Sequence, residues 1–595
     1  MSDVQSHIYD FGDFRIDAGR RVLLRAGEQV PLTPKAFDTL ILLIEHQGQV
    51  LDKQHIMSAI WPDTVVEENN LNQSISTLRR TFGETRGENR FIATVPGRGY
   101  CFTAEVRTSK AVLRPEPATH IRIGVLPFDN LGAGPDREYL ADGLTEETIA
   151  TLGQIDPDHF SVIGRTSVMS YKRTTKTLVE IGRELDASYL IESSLRAEGD
   201  RFRITSKLIR VRDQLQIWSA SYDSQPRSLL TFQRELSIAI AEQVRLRLSP
   251  ASLTALANRQ TRNPDAYDLY LRGRFFWNQF TPLTTRRAIE YFTQATALDP
   301  DYALAWSGLT DALCSSPVTG DTPPLLLIAR ARAAADNAVR SDSSLAEAQA
   351  SLGFFQFWLG WDWAVSEAAQ RKAIAADSNY AFAHRMLGIV QSHSCRHEQA
   401  IAAIGRAREI DPLSAMNRAL SSQIAFAAGD LANATHFARE AIVIDPEFWI
   451  GHFQLAQACV HLHQNEEALD ALNQANRLSA GNSKALSLRG YLLAQMSRAA
   501  EALEILRTFE IISQSQERFV PPYAFALIHA GLGNTDLALD HLERSYQAHD
   551  VHLAFLTVDP KWDPFRTQAR FISLLERCDF RPGAGTKAHA TPPLE

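Results

Sequence analysis

Cysteine is scarce in this chain and never paired by spacing. Cys101, Cys314, Cys395, Cys459 and Cys578 stand far apart and form no CxxC. That excludes a disulfide framework or a thiolate metal site and fits a reducing compartment. Long apolar runs are missing too: stretches such as LILLI at 40–44 fall well short of the ~20 residues a bilayer span needs, so no membrane segment is expected. The opening MSDVQSHIYDFGDFRID is polar and acidic where an export signal has a basic start and an apolar core, which predicts a cytoplasmic location. Positive charge is in deficit, with a formal net of −8. A protein that coats nucleic acid needs many lysines and arginines, so any DNA binding here must be local. There is no P-loop, no GxSxG and no acid–base pair, so neither an enzyme nor a cofactor is expected. His393, Cys395 and His397, with His461 and His463 elsewhere, lack a full four-ligand set, and no metal is expected.

What is present is modular. A chain of 595 residues exceeds what one core organises and predicts about three or four domains. Its 45% hydrophobic and 22% charged content is that of ordinary globular protein. Three regimes follow one another: short strands and helices over 1–107, mixed α/β over 120–250, and helix alone over 264–548. Between the first two, TSKAVLRPEPAT at 108–119 carries two prolines and no apolar period, and reads as a linker. Residues 549–595 form a carboxy-terminal segment whose tail, from Arg581, is expected to be disordered. The fold class expected is multidomain, α/β plus all-α.

In the first region four β-like pieces, IYDFG, FRID, RVLLR and QVPL, precede a helix start at Thr33-Pro34. That helix carries Phe37, Leu40, Ile41 and Ile44 on one face and ends at Gly48. A second helix starts at Asp52 and runs to about Ile60. A third covers about Glu67 to Phe82, and FIATVPGRGYCF follows as a hairpin with Gly97 and Gly99 at its turn. Strands, three helices and a closing hairpin make a winged helix.

Leu71, Ile75, Leu78 and Phe82 recur at helical spacing and must face the core. The opposite face then holds Asn69, Gln73, Ser76 and Arg80, flanked by Asn72, Thr77 and Arg79. Amides pair two-point with adenine and arginine with guanine, so this face can enter a major groove. It is equally what a solvated amphipathic helix shows. Residues 1–107 hold 12 Lys plus Arg against 14 Asp plus Glu, a net of −2. From Asn69 to Arg107 six arginines stand against three glutamates, which places the phosphate-facing side on the third helix and the hairpin.

Over about 100 residues LTPKAFDTLILLIEHQGQVLDKQHIMSAIW, NNLNQSISTLRRTFG and FIATVPGRGY resemble the OmpR/PhoB-type winged helix, most of all its ToxR/CadC branch, in which the winged helix comes first without a receiver. The resemblance implies that Asn69, Gln73, Ser76, Thr77 and Arg79 face DNA, that Trp61 and Thr94 contact phosphates, and that Arg98 and Tyr100 belong to the wing. It also makes WPDTVVEE at 61–68 the element facing RNA polymerase. Pro96 stands where many relatives carry a basic wing residue. Tight binding by so small a module is expected to need a dimer on repeated half-sites.

The middle region opens on the strand IRIGVLPFDNL. Asp142 and Thr145 suit a helix start, and strands are expected at HFSVIG, ASYLIESSLRAEG, RFRITSKLIRV and QIWSASY, then a helix over Leu229–Leu248. It resembles the TolB-amino-terminal-like (FlgO-like) domain that accompanies tetratricopeptide repeats. Asp142, Arg165, Thr166 and Ser167 are candidates for a pocket at the strand ends, or for capping and turn chemistry.

The last region repeats. Ser366, Ala400, Ala434, Ala468 and Ala502 are each 34 residues apart, as are Ala373, Ala407, Ala441 and Ala475, with Ser378, Pro412, Pro446 and Ala480 at the turns and Pro300 in that role earlier. Gly273, Gly353, Gly388 and Gly490 supply small residues inside first helices. This is the period of tetratricopeptide repeats, about seven or eight of them, interrupted near CSSPVTGDTPPLL at 314–326. Such arrays form a superhelix with a concave face for a protein or peptide. FFQFWLGWDW at 354–363 reads as packing between helix pairs, a ligand cage being the other reading. The function expected is a one-component regulator binding double-stranded promoter DNA and receiving its signal through partners on the repeats. The rival is a scaffold with weak or vestigial DNA binding.

Overall fold

The computed structural model describes residues 7–17, 22–25, 28–30, 32, 34–60, 68–84, 88–110, 121–132, 137–153, 160–198, 201–224, 235–236, 238–240, 261, 263–515 and 518–579. They belong to two compact units, Met1–Thr119 and His120–Glu595. Most of the linker, most of the helix expected over Leu229–Leu248 and the tail from Arg581 lie outside the described residues.

In the first unit β1 (His7–Phe11), β2 (Phe14–Asp17), β3 (Val22–Arg25) and β4 (Glu28–Val30) form an antiparallel meander. β8 (Arg107–Lys110) pairs with β1, so strand pairing continues through Lys110. Three helices follow the meander: α1 (Pro34–Glu45), α2 (Lys53–Ile60) and α3 (Glu68–Phe82). Asp52 starts α2 by accepting the amide of Gln54 at 2.8 Å, satisfying a donor that the first turn leaves open. Lys35 Nζ donates to the carbonyl of Ile60 at 2.6 Å, placing a cation at the negative end of α2. The hairpin is β6 (Ile92–Val95) and β7 (Gly99–Phe102), and β7 also pairs with β5 (Leu51–Asp52). Gly99 sits at φ +147 with Leu51 O only 1.9 Å from where a Cβ would be, so this crossing admits no side chain. Phe11 at the centre meets Phe82, Phe91 and Phe102 edge-on at 5.5, 5.8 and 5.2 Å, the geometry aromatic quadrupoles favour.

The second unit opens with a six-stranded sheet: β11 (Phe160–Val162), β9 (Ile121–Val125), β12 (Tyr189–Glu198), β13 (Arg201–Arg210) and β14 (Leu215–Ser224) in that order, with β10 (Asp129–Leu131) beside β12. β9, β10, β11 and β12 run parallel, and β13 and β14 antiparallel. The connecting helix α4 (Glu138–Gly153) begins before the expected start. Asp142 and Thr145 are buried inside it: Asp142 pairs with Lys172 at 2.5 Å, and the Thr145 hydroxyl donates to Ala141 O and accepts from Phe128 N. A short polar residue reads as a cap in sequence, but a tertiary partner satisfies it equally well in mid-helix.

From Pro264 to Gln547 helices alternate in eight pairs. The first is Pro264–Trp277 with Pro282–Leu298, the second Ala303–Gly320 with Ile328–Ser341, and the last Pro522–Gly531 with Thr535–Gln547. The small residues of the 34-residue register, Ser366, Ala400, Ala434, Ala468, Ala502, Ala373, Ala407, Ala441 and Ala475, are all fully buried. Helix axes approach most closely where side chains are smallest, and this buries each such position. Gly273 and Gly308 both lie against the ring of Phe292, about 2.5 Å from where a Cβ would sit. The interruption begins later than 314: Ala303–Gly320 continues through Pro317 and turns at Asp321, φ +49. Phe354, Phe355, Phe357 and Trp363 of the aromatic run are buried.

The sheet module docks on the repeats through a dense seam. Asp411 accepts from Ser167 N at 2.7 Å and Ser167 Oγ at 2.5 Å, and Ser167 Oγ accepts from Leu413 N. Arg122 donates to Glu409 O at 2.6 Å, and Asn379 to Phe160 O at 3.1 Å. At the other end Glu146 of α4 is ion-paired to both Arg165 and Arg274. Burial raises its pKa, yet the two guanidiniums hold this carboxyl below its usual value. The array also closes on itself. Asp321, ending the first helix of the second pair, accepts from Ser483 N at 3.1 Å and Ser483 Oγ at 2.6 Å at the start of the seventh. Beyond the repeats, the turns Val551–Phe555 and Pro560–Phe565 fold back: Phe555 packs on Phe357 and Trp358, and Ala554 O meets His393 Nδ1.

Candidate nucleic-acid interface

The surface is built on α3. Leu71, Ile75, Leu78 and Phe82 are fully buried, as their spacing requires, which fixes the rotation of the helix. Asn70, Asn72, Gln73, Ser76 and Arg80 are exposed. Thr77 is half-buried and its hydroxyl donates to Gln73 O at 2.9 Å. Trp61 and the rest of 61–67 lie outside the described residues, as does the side chain of Asn69.

Four of the expected contact residues, Asn72, Arg79, Thr94 and Tyr100, are bonded to one another. Arg79 donates to Ile92 O and Thr94 Oγ1, both at 2.8 Å. Tyr100 is buried and its hydroxyl donates to Asn72 Oδ1 at 2.8 Å. All three bonds join α3 to the hairpin. Arg98, on the hairpin turn, is exposed, and among the described residues neither it nor Arg80 has an acidic partner. Among the described residues, the exposed cationic groups of this surface without an acidic partner are therefore Arg80 on the helix and Arg98 on the wing.

Glu84 is the residue that sequence reasoning passed over. It is buried just after Gly83 turns the chain out of α3, and accepts from Phe91 N at 3.0 Å and Ile92 N at 3.3 Å. Charged acceptors make the stronger hydrogen bonds, so this carboxylate sets where the hairpin leaves the helix. A lone glutamate after a glycine carries no spacing that would have marked it.

The pocket candidates of the sheet module separate. Ser167 and Arg165 are engaged in the seam and Asp142 in its pair with Lys172. Arg165 and Thr166 also line a cavity of about 180 Å³ between α4 and the first repeats. There Arg274, Arg385, Asp311 and Glu347 crowd together, and burial raises Asp311 to about 7. His393 of the histidine cluster is buried against Phe357 and Trp363.

Comparison with known proteins places these observations. The family described as "Transcriptional regulatory protein, C terminal" matches residues 27–102. The "Transcriptional regulator HilA" of Salmonella typhimurium is 24% identical over 420 residues, 69% of this chain and 72% of that protein. The "Putative adenylate cyclase 3" of Rhizobium meliloti is 29% identical over 240 residues, so the chain spans only 40% of its length. The solved DNA-binding domain of Escherichia coli CadC is 28% identical, covering 18% of this chain and all of that one, with a TM-score of 0.16. A TPR protein of Thermus thermophilus is 14% identical, covering 33% of this chain and 99% of that one, with a TM-score of 0.29. Among the described residues no helix is long and apolar enough to cross a membrane. Residues 27–102 are thus a transcriptional regulatory domain of the OmpR/PhoB type, carried on a chain whose helical part is a tetratricopeptide-type repeat array.

Proposed function

We propose that this protein is a one-component transcriptional regulator acting in the cytoplasm. α3 reads base edges of double-stranded promoter DNA, the hairpin follows the neighbouring phosphates, and the repeat array receives the signal from a protein partner. One observation carries the reading: Gln73, Ser76 and Arg80 are exposed opposite a fully buried stripe, with Arg98 free on the adjoining turn. An amide, a hydroxyl and two cations are the groups that such recognition uses. In this reading Arg79, Tyr100 and Thr94 set the angle between helix and hairpin, with Asn72 shared between that role and the DNA. RNA polymerase is contacted through 61–68, and two copies bind repeated half-sites.

Selection of the full chain against a random double-stranded pool tests it. An enriched sequence is expected. Gln73→Ala should cost about 1–3 kcal/mol at one base pair, whereas Arg98→Ala should weaken binding to every sequence and flatten its salt dependence. No enrichment, or identical behaviour of wild type and both folded variants, refutes the reading. The scaffold alternative rests on the −2 net charge of residues 1–107 and predicts that outcome.

A further inference from the structure

The first helices of successive pairs face a common interior, and within it lies a cavity of about 270 Å³. Its wall is mainly apolar and rich in aromatic rings, with Trp277, Phe280, Trp358, Phe382, Trp449 and Phe453 among its lining residues. On one side it adjoins the acidic 180 Å³ cavity, sharing Trp277, Phe382 and Arg385 with it. On the other stands Lys484.

Lys484 is unlike the other interior cations. Its ammonium lies over the rings of Phe453 at 4.9 Å and Phe555 at 6.0 Å, and no carboxylate among the described residues reaches it. The nearby Asp559 is already paired with Lys561 at 2.8 Å, so it is taken up by the other lysine. Burial, and then the charge of Lys561, push Lys484 down to about 8. Asp445, the acid on the wall of this cavity, is exposed and accepts the Glu447 amide in the turn that follows its helix. Arg385, by contrast, lies in the field of Asp311 and Asp411. Two further groups on the same wall have no partner among the described residues: Gln454 Oε1, in a side chain 2% exposed, and Trp358 Nε1.

Lys484 is half-buried, and a charge withdrawn from water without a counterion is costly, with cation–π contacts offsetting only part of that cost. Cavities that stay empty in proteins are apolar throughout. An aromatic chamber with a cation, an open carbonyl and an open N–H is instead the make-up of a small-molecule site. Its size and surroundings narrow the occupant further. The contact of Asp321 with Ser483 closes the array, and the turns carrying Phe555 and Lys561 occupy the interior beside the cavity. That leaves a chamber for a small molecule rather than a channel for an extended peptide.

We propose that this chamber binds a small organic acid, its flat apolar body among the aromatic rings and its carboxylate paired with Lys484. The proposal is independent of the DNA reading.

Calorimetric titration of the full chain with 2-naphthoate, and with 2-naphthalenemethanol as its uncharged counterpart, tests it. One naphthoate per chain is expected, with a raised unfolding temperature, and binding at least about tenfold tighter than the alcohol, a factor that corresponds to one lost charge-assisted contact. Lys484→Met should erase that preference and raise the melting temperature of the unliganded protein, since the uncompensated charge is gone. Leu420→Trp, filling the chamber, should abolish binding of both probes. Equal affinity of wild type for acid and alcohol, a preference that survives Lys484→Met, or no binding of either probe overturns the proposal.

Discussion

Glu84 offers the sharpest test of how the winged helix is held together. Its two carboxylate oxygens accept the amides of Phe91 and Ile92 at 3.0 and 3.3 Å in a buried position. Glu84→Ala removes both acceptors at once. A buried amide left without a partner costs about 1–3 kcal/mol. The truncated side chain leaves room for water to recover part of this, so about 2–4 kcal/mol is expected for the pair. In a unit of this size each kcal/mol is worth about 4–8 °C, which predicts a fall of about 8–32 °C in the melting temperature of fragment 1–119. Glu84→Gln keeps one acceptor and turns an amide donor toward the other N–H, so it should cost about half as much. Scanning calorimetry of both variants beside wild type decides the matter. A loss below about 2 °C for the alanine variant, well under one such hydrogen bond, would refute the claim that this carboxylate positions the hairpin.

Three further outcomes follow from the same geometry. Gly99→Val should abolish the pairing of β5 with β7, because any Cβ there collides with Leu51 O; unchanged amide-exchange protection at Leu51 would contradict it. His393 is pushed by burial down to about 4. Its folded pKa lies below the unfolded one, so neutral His393 costs nothing above about pH 6.5 and stability is lost as pH falls from there toward 4, by up to about 3 kcal/mol. Urea titrations of the full chain across that window should show a smaller loss for His393→Gln than for wild type. Asp411→Ala should loosen the seam by removing the acceptor of both Ser167 donors, seen as faster hydrogen exchange at Ser167 with the distant Ala502 region unchanged.

Much of this was legible from residue spacing, for a physical reason. Periodicity reports burial: the Leu71, Ile75, Leu78 and Phe82 stripe and the 34-residue alanines are positions where a helix must touch its neighbour, and all are buried. Polar residues carry no such signature. Arg79 and Tyr100 have the composition of DNA contacts, and only the fold reveals that each reaches the opposite element of the winged helix, across 13 and 28 residues of sequence. Asp142 looks like a cap because aspartate caps helices, yet Lys172 satisfies it in mid-helix. Ser167 and Asp411 meet across 244 residues, and nothing local to either announces the other.

The contact between Asp321 and Ser483 changes what kind of object the repeat array is. An open solenoid behaves as a line of neighbours, tolerating gain or loss of a unit and fraying from its ends. Once the second and seventh pairs are bonded to each other, the number of units between them is no longer free. Adding or deleting one 34-residue unit there would displace Ser483 from Asp321, so this stretch must vary in sequence rather than in length. It should also unfold as one block instead of unravelling unit by unit.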